Sequence, residues 1–335
     1  MKKISVHFVS LIILMGIIFP IGVDAAEMNF SVQAVIPENQ VDKGKTYFDL
    51  KMNPDQTQDL AITMKNDTSK DVTVEIGINS ATTNDNGIAD YSGKVEKKDS
   101  TLTYDLNDLI EIDKEMTVPA KGETTVTAHL KMPAAAFDGV LLGGFTFIEK
   151  ETDENKEVQE GAQIVNKYAY TIGIQLQETD KVVEPELVLN DVLPGQVNFR
   201  NVVQANIQNT EAAIIKNLTI DGKIFKKDGK EALYEAKRTD LRMAPNSNFN
   251  YGISLENGEF KPGTYVFKGV ATAGEKEWTF EKEFTIESEI AKELNHTAVE
   301  LDKDYSLYIY LGIGLIVLFL IVVILYLLKK VKANK

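Results

Sequence analysis

Between residues 28 and 287, apolar and polar side chains alternate with a period of two. FSVQAVI, DLAITMKN, DVTVEIGIN, TTVTAHLKM and FTFIEKE each present one face to a core and the other to water, as half-buried β-strands do. Turn chemistry such as NPDQ, NDTSKD, PAKGE and NDNG interrupts them. The rhythm breaks at EKETDENKEVQEGAQ (149–163), charged and poor in core formers, which reads as a linker or an exposed hairpin tip. It restarts with YAYTIGIQLQ, PELVLNDVL, VNFRNVVQANIQN, IKNLTIDGKIF, NFNYGISL, GTYVFKGVAT and EWTFEKEFTI. Asp228-Gly229 and KPGTY supply hairpin and type II turns. The predicted fold class is all-β: two tandem Ig-like β-sandwich domains (28–150 and 164–287, joined by 151–163), a short stalk and one transmembrane α-helix. YDLNDLIEI (104–112) fits a helical turn or an edge strand equally well.

The two ends depart from this pattern. Met1-Lys2-Lys3, the apolar LIILMGIIF and the small residues of VDAA describe a signal peptide over 1–25, cleaved after Ala25. From Leu307 to Leu328 run 22 residues without a charge. As a helix they would extend roughly 33 Å, enough to cross a bilayer. Tyr308, Tyr310 and Tyr326 sit where an interfacial aromatic belt belongs, and the tail KKVKANK (329–335) is lysine-rich. The expectation is a single-pass type I protein of the cell membrane with its ectodomain outside. Residues 288–306 would form the stalk, with Ile290, Leu294, Ala298 and Leu301 along one helix face. A GPI signal is excluded by the charged tail. A wall-sorting LPxTG is excluded because the similar LPGQ (193–196) is mid-chain and incomplete.

The net charge of −14 argues against nucleic acid and against anionic headgroups. With no cysteine, the exported part must hold together by apolar burial alone, which points to a bacterial surface rather than a disulfide-stapled animal ectodomain. The sequons at Asn29, Asn66, Asn217 and Asn295 are then chance matches. Catalytic motifs are missing: no HExxH, GxSxG, P-loop or SxxK occurs, so no enzyme, cofactor or metal is expected. His129 lies in a strand and His296 in the stalk, neither with a partner in sequence. TNDNGIADY resembles a calcium loop but places Gly93 where an EF-hand needs glutamate. A non-EF site using Asp85 or Asp90 stays open beside a loop ordered by its own Asn and Asp side chains. Trp278, the sole tryptophan, reads as a core anchor rather than a ligand platform. Gly143-Gly144 in an apolar strand marks a bulge or a close backbone approach.

YFDLKMNPDQTQDLAITMKNDTSKDVTVEIGINSATTNDNGIADY, VPAKGE and MPAAAFDGVLLGGFTF resemble the first extracellular domain of the WxL-interacting protein family. NKYAYTIGIQL, MAPNSNFNYGISL and KPGTYVFKGVATAGEKEWTFEKEFTI resemble its second. The resemblance implies a membrane-anchored, non-enzymatic surface protein of Gram-positive bacteria. Its first domain would bind peptidoglycan and its second host factors such as an extracellular matrix protein, with WxL-domain surface proteins as partners. The chain is not itself a WxL protein, since its one tryptophan reads WTF.

No residue-level motif comes with the resemblance, so the expected contact site rests on NSATTNDNGIADY (79–91). As an ordered loop at one end of the first sandwich, it offers Asn79, Thr83, Asn84 and Asn86 as hydrogen-bonding groups and Tyr91 as a stacking ring for glycan or peptide. The alternative is a loop ordered only for the sandwich's own sake. At the level of function, the alternative is a structural scaffold for a surface complex with no direct glycan binding.

Overall fold

Alternation becomes burial along each strand: in β3 (Thr57–Asn66) Leu60, Ile62 and Met64 are buried while their neighbours are not. The computed structural model describes residues 28–94, 97–151, 168–301 and 306–333; in the last segment, side chains are described only for 310–324. The first sandwich stacks β1 (Phe30–Ala34), β3, β9 (Glu123–Lys131) and β7 (Ile110–Glu111) against a five-stranded sheet. That second sheet runs in the order β2 (Phe48–Lys51), β11 (Ala169–Gln177), β10 (Leu141–Glu149), β4 (Val72–Ser80), β8 (Glu115–Val118). All its neighbours are antiparallel except β2 and β11. Phe48, Leu50, Leu60, Ile62, Phe145 and Phe147 fill the space between the sheets. Burial of each is worth about 1.5–3 kcal/mol, the main source of stability in a chain without disulfides.

Strand β11 differs from the sequence expectation. YAYTIGIQLQ was expected to open the second domain, yet it pairs with β10 over eight residue pairs and with β2 over four. By sheet pairing the first unit extends to Gln177. Residues 152–167, most of the expected linker, lie outside the described residues.

The second sandwich packs β12 (Leu187–Val197), β13 (Arg200–Asn209) and β16 (Ser247–Ser254) on β15 (Ala232–Met243), β14 (Ile215–Lys226), β17 (Gly263–Ala273) and β18 (Lys276–Ile286). Ile207, Leu218, Ile220, Phe249, Tyr251 and Phe267 form its core, and Trp278 is buried among them. The Tyr251 hydroxyl donates to the carbonyls of Ala236 (2.6 Å) and Ile220 (3.1 Å), and burial pushes its pKa up to about 12.

Residues 104–112 resolve into both alternatives: a one-turn helix α1 (Leu106–Leu109), capped by Asp105, runs straight into β7. Gly143-Gly144 is not a bulge, because β10 keeps its register on both sides. A Cβ at Gly143 would lie 2.2 Å from Leu106, and one at Gly144 would lie 3.1 Å from the Tyr91 ring, so the glycines admit close neighbours.

The stalk is partly built into the second domain. Helix α2 (Ser288–Thr297) buries Ala291, and Asn295 bonds to Phe260 and Asn201. The C-terminal apolar stretch is helical as α3 (Ser306–Ala333), but the expected transmembrane helix needs correction. Among the described residues no helix is long and apolar enough to cross a membrane. The signal peptide lies outside the described residues, and no side chain of the 329–335 tail is described.

Candidate binding site

The polar loop after β4 forms a small hairpin, β5 (Thr82–Thr83) against β6 (Ala89–Asp90). The Asn84 carboxamide oxygen accepts from the amides of Asn86 (3.0 Å) and Ile88 (3.3 Å), and Gly87 takes φ +71°. At the stem, the Asn79 carboxamide donates to the Tyr91 carbonyl at 3.0 Å. The Tyr91 ring lies against Gly144, and burial, reinforced by Tyr47, raises its pKa.

The hairpin is a latch between the domains. Thr83 is only 4% exposed; its hydroxyl lies 2.6 Å from that of Ser247 and accepts from the Ala244 amide at 3.0 Å. Arg238 donates to the Asp85 carbonyl (2.9 Å), the Asn250 amide to the Asp85 carboxylate (2.9 Å), and the Arg242 amide to the Gly87 carbonyl (2.7 Å). A Cβ on Gly87 would sit 2.7 Å from Leu241 of the second domain. Thus the five residues expected as one contact site do not converge. Thr83 is in the junction, Asn84 holds its own turn, Asn86 is exposed, and Asn79 and Tyr91 lie at the hairpin's base. The two carboxylates considered for calcium serve the backbone: Asp85 takes the Asn250 amide and Asp90 the Ser92 amide. Among the described residues there is no group of three or more metal-ligating side chains.

Asp99, which sequence reasoning passed over, is the anionic anchor of this junction. Its carboxylate accepts from Gln208 (2.7 Å), Asn248 (2.6 Å) and both the amide and hydroxyl of Thr101. Burial pushes its pKa up, but these four donors together hold it below the ordinary value. Behind it, Asn190 donates to Asn206 and Gln208, and Asn206 to Asn248 and Asn250. The readable signal was the period-two run of amides, Gln204, Asn206 and Gln208 on β13 with Asn248 and Asn250 on β16.

A second feature lies on the opposite flank of β4. A groove of about 830 Å³ runs between β4 (Ile76–Asn79), the α1–β7 segment (107–112) and the ends of β3 and β9. Asp59, Asp108 and Glu111 line it with Lys114, Lys131 and His129. His129 Nδ1 lies 2.7 Å from the Asp59 carboxylate, whose hydrogen bond and charge raise the imidazole pKa. Asn79 is shared between the groove and the hairpin's base.

Residues 30–149 match the model described as the WxL Interacting Protein, peptidoglycan binding domain, and residues 159–296 the WxL Interacting Protein, host binding domain. The chain belongs to the WxL-interacting protein family. The family is one of binding domains, and both the groove and the loop fall within the first. The second match begins before β11, so this domain division and the sheet pairing disagree over that strand.

No curated protein matches the chain in sequence. In structure it is similar to the CsuC–CsuE chaperone–tip adhesion subunit pre-assembly complex of Acinetobacter baumannii at 13% identity, covering 76% of this chain and 98% of that one (TM-score 0.33). It is also similar to the E. coli chaperone DraB, at 13% identity with coverage of 77% and 98% (TM-score 0.29). A third is the PapD-like domain 7 of human CEP192, at 12% identity with coverage of 46% and 87% (TM-score 0.27). Likeness at these TM-scores supports no further statement.

Proposed function

We propose that this member of the family works at the outer surface of a Gram-positive cell, where its first domain holds peptidoglycan in the groove beside β4. WxL proteins and host extracellular factors are its further partners, the latter on the second domain. The observation that carries the reading is the groove itself, about 830 Å³ and lined by carboxylates, lysines and a histidine within the segment that matches the peptidoglycan-binding model. Asn79 joins the groove to the hairpin's base, while Thr83 belongs to the domain junction.

A purely structural scaffold is the second reading. It is favoured by the latch, in which the polar groups of the 82–90 hairpin are engaged in holding the two domains together. Incubation of the purified full chain with cell-wall sacculi separates the readings. Sedimentation with the wall and no release of soluble fragments is expected. Failure to sediment, with capture of a secreted WxL protein, supports the scaffold instead. Release of soluble muropeptides overturns both in favour of an enzyme.

A further inference from the structure

We propose that the groove takes the short peptide of the wall polymer rather than its glycan, by adding an extended strand to an open segment of β4. This rests on the wall-binding reading above. Two backbone bonds, Lys150 N–H to Thr73 O and Ala81 N–H to Leu142 O, fix which residues of β4 face β10. They are the odd-numbered ones, so Ile76 and Ile78 turn their N–H and C=O groups the other way. Strand β8 covers that side only from Val72 to Glu75, and the Ile76 amide donates to the Lys114 carbonyl at 2.8 Å. The N–H and C=O of Ile78 meet no partner among the described residues. Yet Ile78 is only 7% exposed and lines the groove. Buried backbone groups are almost always paired, because an unpaired one costs about 1–3 kcal/mol. This unpaired pair points into a groove wide enough for a ligand.

Three observations narrow that ligand. First, the open edge is closed at both ends: by Lys114 beyond Ile76, and by the Leu106 amide and Asp105 on the Ser80 hydroxyl. The three steps from Ile76 to Asn79 span roughly 10 Å, room for an oligopeptide but not for a long strand of a protein partner. Second, no Phe, Tyr or Trp ring lines the groove among the described residues, and its one imidazole, on His129, is tied to Asp59, so it lacks the broad flat face on which sugar rings stack. Third, Asp108 and Glu111 with Lys114 and Lys131 suit a ligand carrying both free amines and carboxylates, as wall peptides do and neutral glycan does not.

The test uses the full chain with three probes: intact sacculi, sacculi stripped of peptide by an amidase, and a soluble stem tetrapeptide containing a diamino acid. Sedimentation with stripped sacculi is expected to fall at least tenfold. The tetrapeptide should compete with intact sacculi and slow hydrogen exchange at the Ile78 amide. The variant Glu111→Lys, on an exposed residue, should weaken the tetrapeptide several-fold at an unchanged melting temperature; Ile78→Pro, which deletes the edge donor, should abolish it. Because Ile78→Pro also removes a core side chain, the exchange measurement and Glu111→Lys decide the matter where that variant fails to fold. Equal sedimentation with stripped and intact sacculi overturns the peptide assignment while leaving wall binding standing. Binding to none of the three overturns the wall-binding reading itself. Tetrapeptide binding without protection of Ile78, or indifferent to Glu111→Lys, overturns strand addition at this edge.

Discussion

The two flanks of β4 invert what their composition suggests. The 82–90 hairpin is rich in amides, hydroxyls and carboxylates, yet much of that polarity is already answered by Ser247, Ala244, Arg238 and Asn250. The groove looks ordinary in sequence, two isoleucines and a glycine in a strand, yet it holds backbone groups that meet no partner among the described residues. Polarity marks a residue able to bind; only an unsatisfied group inside the fold marks one waiting to.

The comparison breaks most sharply at Gly87. Gly87→Val puts a β-branched residue at φ +71° and drives its Cβ to within 2.7 Å of Leu241. The expected cost is about 2–4 kcal/mol, borne by the junction. Scanning calorimetry should show the melting transition split into two. Binding to sacculi should survive if the groove and the latch are independent, and its loss would merge them.

Asp99→Ala is next. It strips the acceptor from Gln208 and Asn248 and should cost about 2 kcal/mol, read from chemical denaturation. The same residue gives the junction a pH dependence. Its folded pKa is depressed, so its contribution is full above the ordinary value of 3.8 and fades as the pH falls below that, through the lower folded value. Stability measured down an acid series should therefore lose this component in the wild type, whereas Asp99→Asn should flatten that part of the curve.

Why the two sandwiches were legible and the two flanks of β4 were not follows from what alternation encodes. A period of two says which side chains of FSVQAVI or TTVTAHLKM face inward, and both sandwiches follow from it. It does not say which neighbour a strand pairs with. YAYTIGIQLQ would suit either sandwich, and only its fit between β2 and β10 assigns it to the first. The latch was missed for a related reason: three of its contacts use the carbonyls of Asp85 and Gly87 or the amide of Asn250, backbone groups that every residue type but proline carries in full. The open edge at Ile78 is likewise a property of β8 ending early, and no side chain announces it.

Smaller effects sharpen the contrast without breaking it. Tyr251 stacks under Arg238 at 5.2 Å, and Arg238 reaches across to Asp85. Tyr251→Phe keeps the ring and removes only the hydroxyl shared by the Ile220 and Ala236 carbonyls. A loss of about 1–2 kcal/mol by denaturant melting is expected, with the junction intact and the transition still single.

The smallest effect concerns His129 in the groove. Its pKa is raised by the hydrogen bond and charge of Asp59, so the pair's contribution is complete below the ordinary value of 6.5 and is lost as the pH climbs through the raised folded value. Both side chains are largely in water, so salt screens them and His129→Gln should leave the melting temperature where it was. The charge of the groove nevertheless changes. Deprotonation removes a positive charge beside Asp59 and leaves the lining more acidic. A tetrapeptide held through its amine at that end should bind more tightly as the pH rises through the transition, and one held there by its carboxylate less tightly. Titration calorimetry across the transition, with His129→Gln as the control that should show neither trend, then reads out which way round the peptide lies along β4.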